Sequence, residues 1–284
     1  MIPYYILVII ATVLFSLQFL FNQKFQQSYG TGMQSALVFS FYKSIVVAVV
    51  MICVAGFQLQ ITLFSAILAV VYAAVSLAMV YFSIKAFEVA NLSVYSVFSM
   101  LGGMLLPFVL GVSFYSEKLT VFKGICCALI MFAVLLNVKK GENKKKALLY
   151  YMMVFFLNGM AGVISKIHQS SVYAHVNSSN FMFLSSIAAI LIAGIWLLIA
   201  YKKIPLIKGK ELLYASGYGV FNGVGNWLLL ISLIHLPASV QYPLVTGGVM
   251  VLSTVISAIG KEKLVKRDYI AAAIAFVASV CMAL

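Results

Sequence analysis

Gly247-Gly248-Val249, running on to Gly260-Lys261-Glu262-Lys263-Leu264, repeats an earlier stretch of the same chain. Shifted back by 145 residues, it falls on Gly102-Gly103-Met104 and Ser116-Glu117-Lys118-Leu119. In both copies a Gly-Gly pair is followed, 15 residues after its first Gly, by Glu-Lys-Leu. One apolar span separates the two signals and a second follows. Upstream lies another echo, at an offset of 142: Lys24-x-x-Gln27-Ser28 against Lys166-x-x-Gln169-Ser170, and Ser44-Ile45 against Ser186-Ile187. The echoes keep the same order in both halves, and one short insertion accounts for the change of offset. The chain reads as one unit written twice.

Composition sets the class. Of the 284 residues 64% are hydrophobic and only 9% charged, with a mean hydropathy of +1.11. A soluble domain of this size cannot bury so much apolar surface, whereas a bilayer can receive it. The net charge of +13 is not a nucleic-acid signal, because the basic residues sit in short breaks between apolar runs, where phospholipid headgroups meet them. Cys53, Cys126, Cys127 and Cys281 all fall inside apolar spans without metal-ligand spacing and are expected to pack as small residues. The first span has no basic segment ahead of it and runs about 20 residues, so it is expected to stay as a span and not be cleaved as a signal peptide.

Ten apolar runs are long enough to cross about 30 Å of hydrocarbon at 1.5 Å per residue. They cover 3–22, 33–56, 63–85, 92–115, 119–138, 147–167, 178–201, 212–235, 238–259 and 267–284. In lipid every backbone polar group must be paired internally, so the runs are helices. The expected fold is an all-α integral membrane protein of ten transmembrane helices, arranged as two inverted five-helix repeats. The first repeat spans 1–138, a basic linker 139–146, and the second repeat 147–284. The inversion follows from arithmetic: two joined copies of an odd-numbered unit sit in the membrane with opposite orientation.

The breaks after spans one, three, five, seven and nine hold 15 of the 19 basic residues, from Lys24 and Lys85 through Lys139–Lys146 to Lys266 and Arg267. The opposite breaks hold Lys118, Lys123 and Lys166. This bias puts the odd-numbered breaks in the cytoplasm and both termini on the outer face of a cell membrane. Tyr4-Tyr5 and Tyr150-Tyr151 read as interfacial anchors, and His168, His175 and His235 as interfacial groups.

The pattern resembles the drug/metabolite transporter superfamily, specifically its ten-helix EamA-type transporters. The resemblance covers the whole chain. It rests on the five-plus-five pattern and on Glu117-Lys118-Leu119 and Glu262-Lys263-Leu264, which look like the family's Glu-basic-Leu turn ahead of the fifth and tenth helices. Lys43 stands where many members carry a basic residue. Many relatives have a proline where this chain has Met104 and Val249; here Pro107 and Pro243 are displaced from those positions. The resemblance implies transport of small organic solutes through a central cavity lined by the first, third, fourth, sixth, eighth and ninth helices.

Lys43 lies about ten residues into the second span, roughly 15 Å deep. Placing it there costs about 2.5–3.5 kcal/mol on insertion scales, and its stem is too short to reach the interface. It therefore faces a wet cavity, a carbonyl-lined pocket or an anionic ligand, and both a structural role and solute contact remain open. None of the six acidic residues sits mid-span, so a permanently cationic solute and proton coupling through a buried carboxylate are disfavoured.

The eighth span carries Gly217, Gly219, Gly223 and Gly225, interleaved with Asn222, Asn226 and Trp227. Glycines allow close helix packing, and two amides four apart share a helix face and need partners away from water. Asn158 has Ser16 as its counterpart at the 142 offset, one turn from Gln18. Gln241-Tyr242 matches Ser96-Val97, with Tyr95 beside them. The expected solute-binding set is Gln18, Lys43, Tyr95, Asn158, Asn222, Asn226, Trp227, Gln241 and Tyr242, with interhelical hydrogen bonding as the other reading of each.

No Ser/His/Asp set, metal-ligand cluster or phosphate loop is present, so neither catalysis, a cofactor nor a metal is expected. The expected partners are a small-molecule solute and the lipid bilayer but not nucleic acid, with the chain a monomer or homodimer. The expected function is a secondary transporter moving a neutral, zwitterionic or anionic metabolite by alternating access. A flippase for a lipid-linked polar headgroup is the alternative, and an integral-membrane enzyme is disfavoured because the interface carries mainly Lys.

Overall fold

The structure, a computed structural model, describes residues 2–89, 91–114, 144–233 and 238–281, together with isolated helical positions at 125, 128–129 and 132. Among the described residues there are nine long helices and no strand: α1 Ile2–Tyr29, α2 Met33–Val54, α3 Leu63–Ala86, α4 Leu92–Phe114, α5 Lys144–Ser170, α6 Ser178–Tyr201, α7 Gly209–Leu233, α8 Ala238–Ile259 and α9 Lys266–Cys281. The expected span at 119–138, with its Glu117-Lys118-Leu119 signal, lies outside the described residues. Elsewhere the expected spans and the helices agree closely. The chief differences are at the end of α1 and the start of α5: α1 continues through the polar turn to Tyr29, and α5 begins at Lys144, three residues before the expected span.

Among the described residues, five helical segments are long and apolar enough to cross a membrane: Pro3–Tyr29, Met33–Val54, Leu63–Ala86, Ala147–Gln169 and Ser178–Tyr201. Their outward faces suit hydrocarbon and not water, since Ile9, Val49, Ile67, Leu191 and Ile199 are each more than half exposed. The cysteines are not uniformly interior: Cys53, expected as a packing residue, is exposed.

Helix ends are set by short polar side chains. Thr62 accepts from the Ser65 amide at 3.3 Å ahead of α3, and Asn177 accepts from the Asn180 amide at 2.9 Å ahead of α6. Asn91 does the same for α4, its Oδ1 accepting from the Val94 amide at 2.9 Å. At α9 the capping runs backwards: Asp268, within the first turn, accepts from the Val265 amide at 3.1 Å. α6 stops where Lys202 turns left-handed, with φ 60°.

Several helices pack chiefly on partners distant in the sequence. α1 lies against α7 and α8, α5 against α3 and α4, α2 against α6 and α7, α3 against α6, and α4 against α8. One core gathers Phe15 and Phe19 of α1, Tyr95 and Phe98 of α4, Tyr151 and Phe155 of α5, and Val249 and Met250 of α8. A second gathers Phe25, Leu37, Phe39, Ile84 and Leu197 from α1, α2, α3 and α6. Tyr151, expected at an interface, is buried in the first core and donates to the Val89 carbonyl at 3.1 Å.

The repeated Gly-Gly pairs sit where helices come closest. A Cβ on Gly102 would run into the backbone of Phe155, and one on Gly159 would come within 2.7 Å of the Gly102 carbonyl oxygen. α4 and α5 therefore touch backbone to backbone. In the other copy, a Cβ on Gly248 would meet Thr12 of α1 at 2.6 Å, and one on Gly247 would meet Phe276 of α9 at 2.8 Å. The four glycines of α7 act similarly: Gly217 and Gly225 admit Phe21 and Phe15 of α1, while Gly219 and Gly223 admit Val46 and Val50 of α2.

Candidate functional site

A cavity of about 120 Å³ lies inside this bundle, lined from α1, α2, α3, α4, α5, α6 and α7. Its volume holds several waters or one small solute. Among the described residues, Lys43 of α2 is the only charged one in its lining. That side chain is 8% exposed. Its Nζ donates to Ser76 Oγ at a long 3.4 Å and lies 5.1 Å from the centre of the Tyr218 ring. Gly219 makes this placement possible: a Cβ there would come within 2.8 Å of the Lys43 carbonyl oxygen, so only a glycine lets α7 bring Tyr218 so near. No carboxylate pairs with Lys43 among the described residues.

The polar lining continues around the cavity. Gln18 Oε1 accepts from Asn222 Nδ2 at 2.9 Å, tying α1 to α7. Tyr95 shares a 2.8 Å hydrogen bond with Ser83 Oγ, and its ring is held edge-on by Phe19, with centroids 5.1 Å apart. Asn158 Nδ2 donates to the Ser99 carbonyl at 2.6 Å. It reaches that carbonyl across Gly103, where a Cβ would stand 2.7 Å from the same nitrogen. The second glycine of the repeated pair thus gives a cavity amide its access to α4.

Five of the nine expected residues meet here: Gln18, Lys43, Tyr95, Asn158 and Asn222. Two do not line the cavity. Asn226 Nδ2 folds back on its own helix to the Asn222 carbonyl at 2.7 Å, and Trp227 is 39% exposed on the outside of the bundle. The side chains of Gln241 and Tyr242, in the first turns of α8, lie outside the described residues.

Asn22, Tyr72, Tyr218 and a set of serines were not anticipated. A signal for Asn22 existed, since it stands one turn beyond Gln18. Ser44 and Ser186 had been singled out as a repeat echo and not as a site; both line the cavity. They are one of several lining pairs that stand 142 residues apart. Lys43 corresponds in this way to Ser185, Val47 to Ala189, Ser76 to Tyr218 and Val80 to Asn222.

His168 also departs from expectation. Instead of lying at an interface it is 1% exposed, stacked on Phe181 at 4.0 Å and hydrogen-bonded through Nε2 to Ser65 Oγ at 2.9 Å. Among the described residues, no three His, Cys, Asp or Glu side chains come together as metal ligands would. No protein-family model matches the chain, and no curated protein matches it.

Proposed function

We propose that the protein is a secondary transporter of a small polar metabolite, of the drug/metabolite transporter type, built as two inverted five-helix repeats and working by alternating access. The observation that carries this reading is the cavity: one polar chamber within an apolar bundle, lined from both halves by residues that pair at the repeat offset. Helix packing supports it too. Exchanging each helix with its repeat counterpart turns the α1–α7 contact into α5–α3, α4–α5 into α8–α1, and α2–α7 into α6–α3, while α2–α6 and α4–α8 map onto themselves. This exchange of contacts supports a bundle of two related halves.

Solute-dependent flux is the test. Purified protein in liposomes should exchange a labelled small polar solute chosen by thermal-shift screening of amino acids, nucleobases, sugar phosphates and quaternary amines. Ala189→Phe, which projects a ring into the cavity, should lower that flux at least tenfold while the protein elutes as the wild type does. Flux unchanged by the ring would place the solute path elsewhere. Orientation is tested separately: a reporter active only in the cytoplasm should be silent at both termini and active when inserted after Tyr201.

A further inference from the structure

Among the described residues, the lone cation and the unused acceptors that face the cavity describe a ligand. Lys43 supplies three N–H donors and a full positive charge, met by one long contact to Ser76 and by the face of Tyr218. On the same cavity wall α6 presents Ser185 and Ser186, whose hydroxyl protons are already committed to the Phe181 and Met182 carbonyls at 2.8 Å each. What those hydroxyls have left to offer is lone pairs. Asn22, 2% exposed, lines the same cavity, and its Oδ1 accepts no hydrogen bond. A buried acceptor left in this way is unfavourable until a donor arrives. The chamber therefore offers one cationic donor and several neutral acceptors, beside the amide and phenol groups of Gln18, Asn158, Asn222, Tyr72 and Tyr218.

A solute that complements it carries a single negative charge at one end and O–H or N–H groups at the other. A dianion would leave one charge unmatched, because the described lining contains no second cation. A cation would face Lys43 with no carboxylate among the described lining residues to offset it. From this polarity we infer that the cavity binds a small carboxylate bearing hydroxyl or ammonium donors, with the carboxylate on Lys43 and the donors toward Asn22 and the α6 serines. The inference rests on the cavity being the solute site of the transporter proposed above.

Four three-carbon probes isolate each requirement: glycerate and serine carry the carboxylate and donors, glycerol lacks the carboxylate, and propionate lacks the donors. Their binding to purified protein by calorimetry, and their flux in liposomes, should favour glycerate or serine over glycerol and propionate by at least tenfold. Lys43→Gln should erase the advantage over glycerol, and Lys43→Arg should keep part of it. Asn22→Leu should narrow the advantage over propionate while leaving that over glycerol, and so guards against a Lys43 variant that fails to fold. Binding with this selectivity but without flux would uphold the carboxylate site and sink the transport reading. Flux without discrimination, or with discrimination surviving Lys43→Gln, would overturn the carboxylate site and leave transport standing. Neither binding nor flux of any of the four would overturn it as well.

Discussion

Gly102→Ala is expected to be the most damaging single-methyl change at the described glycines. Its Cβ would occupy the space of the Phe155 backbone, and backbone, unlike a side chain, has no rotamer to move into. Overpacking usually costs about 1–3 kcal/mol; here α4 must shift off α5, which places the cost at the top of that range or above it. The same shift would withdraw the Ser99 carbonyl from Asn158 and so disturb the cavity wall. Thermal unfolding in detergent should show a large drop for Gly102→Ala and almost none for Gly32→Ala, where an added Cβ meets nothing within 4 Å. Equal stability of the two variants would mean that α4 and α5 do not touch as described.

The second large effect belongs to Glu262, in the break between α8 and α9. Its carboxylate accepts from Gln23 Nε2 of α1 at 2.6 Å, from the Leu92 amide at the start of α4 at 3.0 Å, and from Ser257 of α8. Asp268 adds a neighbouring link, accepting from Asn91 Nδ2 at 3.0 Å. Two carboxylates of one half thus hold down the start of α4 and the end of α1 in the other. Hydrogen bonds to a charged acceptor contribute about 1.5–3 kcal/mol each, and donors left without one are costly. Glu262→Ala should destabilise the protein by roughly 3 kcal/mol, and Glu262→Gln, which keeps one acceptor oxygen, by less. If the halves rock, the same change should make a cysteine placed at Ser83 more reactive to a thiol reagent added on the side of Lys261 and Lys263. A stable Glu262→Ala protein with unchanged reactivity would show that this cluster is only a helix cap.

Much of the fold was legible because crossing an apolar medium imposes long uninterrupted helices whose limits are marked by charge. The site was legible where a residue was expensive. Lys43, Gln18, Asn158 and Asn222 stand out because each brings charge or amide groups into an apolar run. Ser76 and Ser185 did not stand out, since a serine hydroxyl can satisfy itself on a carbonyl of its own helix at small cost, and Tyr72 and Tyr218 did not, since tyrosines are frequent throughout this chain; which way they face depends on the helices packed around them. Trp227 was grouped with Asn222 by proximity in sequence, yet five residues turn a helix through about 140° beyond a full circle. It points away. The carboxylates at helix ends were seen as absent from mid-span, which holds for the described ones; that Asp268 is nevertheless 2% exposed follows only from α4 lying across it.

The way α1 and α5 pack bears on how the chain is made. Each first helix of a half finds its most extensive contacts in the opposite half, α1 on α7 and α5 on α4 and α3. Gln18 of α1 has its amide partner, Asn222, 204 residues further on. At ribosomal speeds of about 5–20 residues per second, α1 waits roughly 10–40 s before that partner is synthesised. During synthesis the early helices must tolerate an unmatched polar face, and separately produced halves would each lack the surface that completes them.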